Sequence, residues 1–325
     1  MHVPKLFLTE PYSWKIKDID LRPTYRCQAK CPTCGSWKRK APDLSMAQTI
    51  QIVKYFRNLR KVIIEGGEPT LWEHLKYFIK CVDSEDKPVI TNAINTKVIQ
   101  NLSEYFTPNE MRWVVSLNGL GSVHDQSRGK IGAFNHLVRS VDIMKNLKYD
   151  VRFQFMPTQK TIGDLEATKE FITERWGKSL ILINYPSYAG IYGENVKTQY
   201  LDENEMRDIL TSGTGDSLLN RTMYDIYTDK AIKKEPIPCL YGRSKIHIRP
   251  DGGIASCQYE DNQIFGQVYN DKVVIDSKAR KNLCKNTIPD KCMYKTGQLC
   301  SHEAAVYGIR HNFFYLMREA WKRLI

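Results

Sequence analysis

Between residue 18 and about residue 190 the chain alternates short runs of apolar, often β-branched residues with longer amphipathic stretches. The short runs predict six strands, at Ile19–Arg22, Val62–Glu65, Val89–Thr91, Trp113–Leu117, Val151–Phe155 and Leu180–Asn184. The amphipathic stretches predict helices near 45–59, 71–82, 96–106, 132–147 and 162–176. Strands that alternate with helices of this length form βαβ units around a parallel sheet. Six units are too few for a closed eight-stranded barrel, so we expect an α/β fold with a partial (βα)6 TIM-like barrel.

The pattern changes beyond residue 200. A stretch of small turn residues at 211–216 predicts a linker. Two apolar runs on either side of the turn at 250–253 predict a β-hairpin, and a repeat of apolar residues near the end of the sequence predicts an amphipathic helix. We therefore expect four parts: an N-terminal extension at 1–17, the barrel at 18–200, a helical connection at 201–235, and a small hairpin-plus-helix domain at 236–325.

The composition is that of a folded protein without a membrane span. Hydrophobic residues make up 42% of the sequence, which is enough to fill a core. No run of about 18 apolar residues occurs, and the first residues lack the apolar stretch and cleavage site of a secretory signal. We expect a cytoplasmic protein.

The net charge of +12 is the second feature of the composition that bears on function. It favours an anionic substrate or partner, such as a phosphorylated small molecule, a nucleic acid or an acidic peptide. A soluble basic surface that binds no particular partner remains an equally good interpretation, because net charge governs association rather than chemistry.

The nine cysteines are clustered, with three near the start and five in the last third of the sequence. A reducing compartment disfavours disulfides, so clustered thiols point to metal binding. Cys81 stands apart from both groups, at the end of an apolar helix face, where we expect a buried thiol.

Three thiols follow the first predicted strand, with the spacing Cys27-x3-Cys31-x2-Cys34. Barrels of this type keep their active sites on the loops at the carboxyl ends of the strands. Three thiolates on one loop suit three irons of a [4Fe–4S] cluster, which leaves the fourth iron open to a small molecule. A zinc site completed by a ligand from elsewhere is the alternative, although such sites favour Cys-x2-Cys pairs.

A glycine-rich motif follows the second predicted strand. In Gly66-Gly67-Glu68-Pro69 the paired glycines allow close backbone approach to a ligand and leave carbonyl oxygens exposed. Those oxygens and the nearby carboxylate suit an ammonium group. A glycine turn stiffened by proline is the alternative when the motif is taken alone.

The two motifs together, in this order, resemble those of the radical SAM superfamily over residues from about 15 to 190. The resemblance implies that S-adenosylmethionine binds the open iron of a cluster on the three thiols, and that the glycine motif holds its amino group. Further matches imply contacts with S-adenosylmethionine from residues after the third and fourth strands. These are Asn92, Ser116, Asn118 and Arg128. Asn92, Ser116 and Asn118 also suit ordinary turn and cap roles, and Ala93 and Asn118 replace the glycine and aspartate of the family pattern.

The thiols around the predicted hairpin are similar to the opening of the SPASM and twitch auxiliary domains of that superfamily. The resemblance implies one auxiliary [4Fe–4S] cluster, because too few cysteines remain for two. The expected ligands are Cys239, Cys257, Cys292 and Cys300. Cys284 can replace either of the last two, and a structural zinc site is the alternative.

The resemblance implies an enzyme that cleaves S-adenosylmethionine reductively to a 5′-deoxyadenosyl radical, with flavodoxin or ferredoxin as electron donor. Combined with the charge, it favours oxidation or rearrangement of a small anionic or nucleoside-derived substrate. Modification of a peptide, a protein or a nucleic acid is the alternative within this class. A non-catalytic zinc protein that binds nucleic acid is the alternative of another class, but it leaves the glycine motif unexplained, and no nucleic-acid motif supports it.

Overall fold

The computed structural model describes residues 15–179, 181–183, 201, 241–257 and 263–283. The predicted linker, the C-terminal helix and nearly all of the N-terminal extension lie outside these residues, so the domain boundaries stay a prediction. Within the described part of the chain, no helix is long and apolar enough to cross a membrane.

Eleven strands form one sheet in the described residues. Seven belong to the barrel region: β1 Asp18–Leu21, β2 Leu59–Ile64, β3 Ser84–Asp86, β4 Pro88–Thr91, β5 Arg112–Ser116, β6 Val151–Phe155 and β7 Ile181–Ile183. Four follow near the C-terminus: β8 Lys245–Ile248, β9 Gly253–Ala255, β10 Ile264–Val268 and β11 Val273–Ile275. All six predicted barrel strands and the predicted hairpin are confirmed, whereas β3, β10 and β11 were not expected.

Helices connect the barrel strands. They are α1 Met46–Tyr55, α2 Leu75–Cys81, α3 Thr96–Tyr105, α4 Gly121–Arg128, α5 Ala133–Asn146 and α6 Leu165–Trp176, with α7 Ser277–Leu283 after the last strand. The five predicted helices are present, although shorter than expected. The sequence analysis missed α4 and α7, which have only eight and seven residues.

The strand order is β11-β10-β9-β8-β1-β2-β4-β5-β6-β7, with β3 paired to β2. The barrel strands run parallel, as the βαβ pattern predicts. Strand β8 joins the sheet parallel to β1, with Asp18 opposite Lys245 and Leu21 opposite Ile248, and β9, β10 and β11 then continue antiparallel. The C-terminal hairpin therefore extends the barrel sheet itself.

The two faces of β1 and β8 differ in character. Ile19, Leu21, Ile246 and Ile248 are fully buried and belong to the main apolar core. Because side chains alternate along a strand, the intervening residues point to the opposite face, where Lys245 and Asp20 form an ion pair of 3.1 Å. That face is polar although it is buried.

Helix α1 illustrates how local chemistry fixes the element ends. Ser45 accepts a hydrogen bond from the Gln48 backbone N–H (3.2 Å), and the Gln48 side chain accepts one from the Ser45 N–H (3.1 Å). This reciprocal cap satisfies N–H groups that the first turn leaves unpaired. The Gln48 amide also donates to the Val268 carbonyl oxygen (3.0 Å), so the same residue attaches α1 to β10.

Candidate metal and cofactor site

The thiol loop follows β1 at the carboxyl edge of the sheet, as expected. Cys27, Cys31 and Cys34 are all partly buried. The first two pack against a small apolar cluster of Ala29, Ile94 and Ala133. The glycine motif follows β2, Asn92 follows β4 and Ser116 ends β5, so the fold brings the predicted site residues of four strands to one edge.

The three thiols affect one another electrostatically. Burial raises the pKa of Cys27 to about 12, and the Glu68 carboxylate and the other two thiols add to that rise. Burial, followed by the neighbouring Cys31, also raises the pKa of Cys34. Without metal, Cys27 and Cys34 are therefore protonated at neutral pH, and iron binding has to release their protons.

Each thiol sulfur also lies near an N–H donor. The Asn92 side-chain amide approaches Cys27 Sγ (3.6 Å), the Arg128 guanidinium Nη1 approaches Cys31 Sγ (3.8 Å), and the Ser36 backbone N–H approaches Cys34 Sγ (3.5 Å). In iron–sulfur proteins, such hydrogen bonds orient the thiolate ligands and tune the cluster.

The three thiols provide the donors that three irons of a [4Fe–4S] cluster require. Among the described residues, no three His, Cys, Asp or Glu side chains converge on one ion position. A cube takes one thiolate per iron, so its ligands surround the cluster and need not meet at a point. Three soft sulfur donors on one loop, each next to an N–H group, match that requirement.

The glycine motif packs against the chain just before the thiols. The Gly67 N–H donates to the Thr24 carbonyl oxygen (2.8 Å), and the Glu68 N–H donates to that of Arg26 (2.8 Å). A Cβ at Gly67 would overlap the carbonyl oxygens of Tyr25 and Arg26. The glycine motif therefore packs closely against the start of the thiol loop.

The Glu68 carboxylate joins the end of β2 to the end of β4. One oxygen accepts hydrogen bonds from the Thr70 N–H (3.2 Å) and from the hydroxyls of Thr70 and Thr91 (2.8 Å each). The other oxygen accepts from the Asn92 N–H (2.9 Å). Burial raises the pKa of Glu68, and these donors oppose that rise. The hydrogen bonds of these two threonines to Glu68 were not predicted from the sequence. Ala93, which replaces the family glycine, adopts a φ of 55°.

Ser116 and Asn118 are held by hydrogen bonds with residues at the end of β6 and in α4. The Ser116 hydroxyl accepts from Gln154 (2.6 Å), and the Asn118 side chain accepts from the Met156 N–H (3.0 Å). The Asn118 N–H donates to Nδ1 of the buried His124 (3.2 Å). The Asn118 side chain therefore joins the end of β5 to the end of β6 across 38 positions. Contacts of Ser116 and Asn118 with S-adenosylmethionine stay a prediction.

Two buried side chains near the site were not expected. Arg22 follows β1 and pairs with Glu65 (2.8 Å), and its charge lowers the pKa of Cys34 against the effect of burial. His247 of β8 is buried, and neither ring nitrogen makes a hydrogen bond of normal distance and angle among the described residues. Burial, then the charges of Arg22 and Arg249, hold the pKa of His247 well below its usual value, and the nearby Asp20 backbone opposes them. The sequence feature that could have predicted these two buried residues is the alternation of polar and apolar residues along β1 and β8.

The C-terminal thiols are described only in part. Cys257 follows β9 and is partly buried. Cys239, Cys284, Cys292 and Cys300 lie outside the described residues, so the auxiliary cluster stays a prediction. Cys81 is exposed, and the expectation of a buried thiol there was wrong, because the last turn of α2 turns it away from the core.

Comparison with known proteins gives distant matches. No protein-family model matches the sequence. A pre-heme d1 synthase from Dinoroseobacter shibae is 24% identical over 179 residues, which are 53% of this chain and 44% of that protein. The match thus spans less than half of the relative's length.

Two solved structures resemble the chain more extensively. Streptococcus suis SuiB bound to S-adenosylmethionine has a TM-score of 0.55 and 17% identity, over 77% of this chain and 67% of SuiB. The anSMEcpe protein with bound AdoMet (S-adenosylmethionine) and Cp18Cys peptide has a TM-score of 0.58 and 16% identity. The match covers 94% of this chain and 97% of the anSMEcpe chain. Both neighbours are radical SAM enzymes. The resemblance inferred from the two motifs is thus confirmed at the level of the fold, which the chain shares with both radical SAM structures.

Proposed function

We propose that the protein is a radical SAM enzyme that binds S-adenosylmethionine at a [4Fe–4S] cluster held by Cys27, Cys31 and Cys34. The observation that carries the proposal is the thiol loop itself, in which each sulfur lies near an N–H donor and the glycine motif packs alongside. When bound, the cluster would supply the electron that breaks the carbon–sulfur bond, giving methionine and a 5′-deoxyadenosyl radical that takes hydrogen from the substrate.

The residues of the chain would bind and orient S-adenosylmethionine and shield the reactive centre from water. Two of the four hydrogen bonds to Glu68, from the Thr91 hydroxyl and the Asn92 N–H, hold the loop of Gly66, Gly67 and Pro69 at the end of β4, which supports a fixed site for the amino group of S-adenosylmethionine. The apolar cluster beside Cys27 and Cys31 supports exclusion of water from the reactive centre. Asn92, Ser116, Asn118 and Arg128 are the further contacts that we propose.

We favour a small anionic or nucleoside-derived substrate that is oxidised or rearranged. The net charge of +12 supports an anionic molecule. The distant relative is named for the synthesis of pre-heme d1, a product that is not a peptide. An electron donor such as flavodoxin or ferredoxin, an auxiliary cluster on Cys239, Cys257, Cys292 and Cys300, and a cytoplasmic location belong to the same proposal.

A peptide substrate is the second candidate. Two structural neighbours were solved with peptides, anSMEcpe with the Cp18Cys peptide and SuiB with the precursor peptide SuiA. Those peptides belong to the neighbours, and the shared fold is what favours this candidate for the present chain.

The test is anaerobic reconstitution with iron and sulfide, followed by dithionite and S-adenosylmethionine and quantification of 5′-deoxyadenosine. We expect product from the parent protein and none from the triple variant Cys27→Ala, Cys31→Ala, Cys34→Ala. Colourless protein that binds zinc, with no iron, sulfide or deoxyadenosine, would instead support the non-catalytic zinc protein.

A substrate panel separates the two substrate candidates. Deoxyadenosine formation by the reduced parent is measured with nucleoside phosphates and, separately, with synthetic peptides. Stimulation above the substrate-free rate by the phosphates alone supports the first candidate. Stimulation by peptides alone supports the second.

A further inference from the structure

We propose that Arg128 is a positioning residue that raises the reduction potential of the cluster through its contact with the ligand Cys31. The inference rests on the proposed function, because it needs a cluster on the three thiols. It assigns to Arg128 a role besides the carboxylate contact that the superfamily resemblance implies.

The backbone around Arg128 is held against the thiol loop. Arg128 is the last residue of α4, and its carbonyl oxygen accepts a hydrogen bond from the Lys30 N–H (2.9 Å). Gly129 then adopts a φ of 56°, and a Cβ there would overlap the Lys30 carbonyl oxygen. Lys30 immediately precedes Cys31, so these contacts attach the end of α4 to the thiol loop.

The guanidinium group is fixed as firmly as the backbone. Its Nη2 donates to the Ser116 carbonyl oxygen at the end of β5 (2.7 Å), while Nη1 reaches Cys31 Sγ (3.8 Å). The planar fork of an arginine presents donors to both acceptors in a fixed geometry, whereas a lysine ammonium is a compact charge on a flexible stem. The Nε atom is buried and has no hydrogen-bond partner among the described residues, so its N–H stays available to a carboxylate.

The three N–H donors at the sulfurs differ in charge. Those at Cys27 and Cys34 come from the neutral Asn92 amide and the Ser36 backbone, whereas the donor at Cys31 carries a full positive charge. A cluster gains negative charge on reduction, and hydrogen bonds and positive charge at its sulfurs stabilise that state. Charge-assisted donors are the stronger kind, so Arg128 should raise the potential most.

The test measures the midpoint potential of the reconstituted cluster in a redox titration followed by EPR, with no S-adenosylmethionine present. We expect Arg128→Gln to make the potential more negative. Arg128→Lys keeps the charge but loses the fork, so it should fall between Arg128→Gln and the parent. Arg175→Gln removes an exposed arginine that pairs with Asp142 on α5, and it should match the parent.

The outcomes separate this inference from the proposed function. A parent that takes up no iron and sulfide contradicts the proposed function. A loaded parent and a loaded Arg128→Gln variant with equal potentials overturn the role of Arg128 and leave the proposed function standing. If Arg128→Gln assembles no cluster, Arg128→Lys decides: a potential equal to that of the parent overturns the inference, and a more negative one supports it.

Discussion

Gly67 shows how single residues hold the site together. Its N–H donates to the Thr24 carbonyl oxygen, and its missing side chain leaves room for the carbonyl oxygens of Tyr25 and Arg26. This contact joins the loop after β2 to the loop after β1, so the residues expected to bind S-adenosylmethionine are held next to the thiols. The contact leaves no room for even a methyl group at position 67.

A methyl group at Gly67 should therefore separate the two loops. We expect Gly67→Ala to lower the free energy of unfolding by about 1–3 kcal/mol, as overpacking does elsewhere, and to weaken S-adenosylmethionine binding. Urea unfolding and equilibrium binding measure the two effects. Gly163→Ala is the matched control, because a Cβ at Gly163 meets no atom within 4 Å. Equal stability of the two variants would contradict the packing role of Gly67.

The two fully buried histidines provide a second comparison at this scale. His124 accepts a backbone hydrogen bond from Asn118, whereas neither nitrogen of His247 makes a hydrogen bond of normal distance and angle among the described residues. We expect His124→Leu to cost about 1–3 kcal/mol, because it leaves a buried N–H without an acceptor. His247→Leu should leave the stability of the resting protein unchanged or raise it. Thermal and urea unfolding check both; a larger loss in His247→Leu would show that its ring is hydrogen-bonded.

At the scale of elements, caps and ion pairs fix where helices end and how they meet the strands. Asn95 caps α3 by accepting from the Val98 N–H (3.3 Å). Lys80, in the last turn of α2, pairs with Glu110 in the turn before β5 and also lies over the Tyr105 ring (5.3 Å). Glu110 in turn accepts from the Thr107 N–H (2.8 Å). One carboxylate therefore links α2, the end of α3 and the entry to β5.

This carboxylate predicts a pH dependence. The hydrogen bond from Lys80, then that from the Thr107 N–H, lower the pKa of Glu110 to about 2 from its ordinary value of 4.5. A lowered carboxyl pKa stabilises the fold above the ordinary value, and that contribution is lost as the pH falls from about 4.5 to about 2. Both side chains are partly exposed, so screening should keep the effect below about 1 kcal/mol.

Glu110→Gln should accordingly be less stable than the parent at pH 7, and the difference should shrink progressively below about pH 4.5. Urea unfolding of the two proteins across this range measures it. Glu166→Gln is the control, because Glu166 is exposed and pairs with Lys169 one helical turn away. A parent–variant difference for Glu110 that does not change with pH would contradict the assignment.

At the scale of the whole molecule, the sheet joins distant parts of the chain. Strand β8 runs parallel to β1, and the fully buried residues of both strands enter the same core. The buried Asp20–Lys245 pair lies across the same strand boundary. The thiol loop leaves directly from β1, so the support of the site includes the C-terminal strands.

A cavity created on β8 should therefore destabilise β1 as well. We expect Ile246→Ala to cost about 2–5 kcal/mol, because Ile246 is completely buried, and to speed amide exchange in β1 and β8 together. Hydrogen exchange and urea unfolding measure both effects. Val274→Ala on β11 is the control, since Val274 is 44% exposed, and it should change stability by less than about 0.5 kcal/mol. Faster exchange in β8 alone would contradict a shared cooperative unit.

The sequence by itself determined the barrel strands, the main helices, the hairpin and the thiol loop. These features depend on local patterns: alternation along strands, the helical repeat, turn residues, and three cysteines within one loop. Only the tertiary structure decided what lies next to the loop. Arg128 reaches Cys31 across 97 positions and Asn92 reaches Cys27 across 65, while β8 pairs with β1 from the other end of the chain. Strand order and side-chain contacts between distant segments depend on how whole elements pack, and no local pattern encodes that packing.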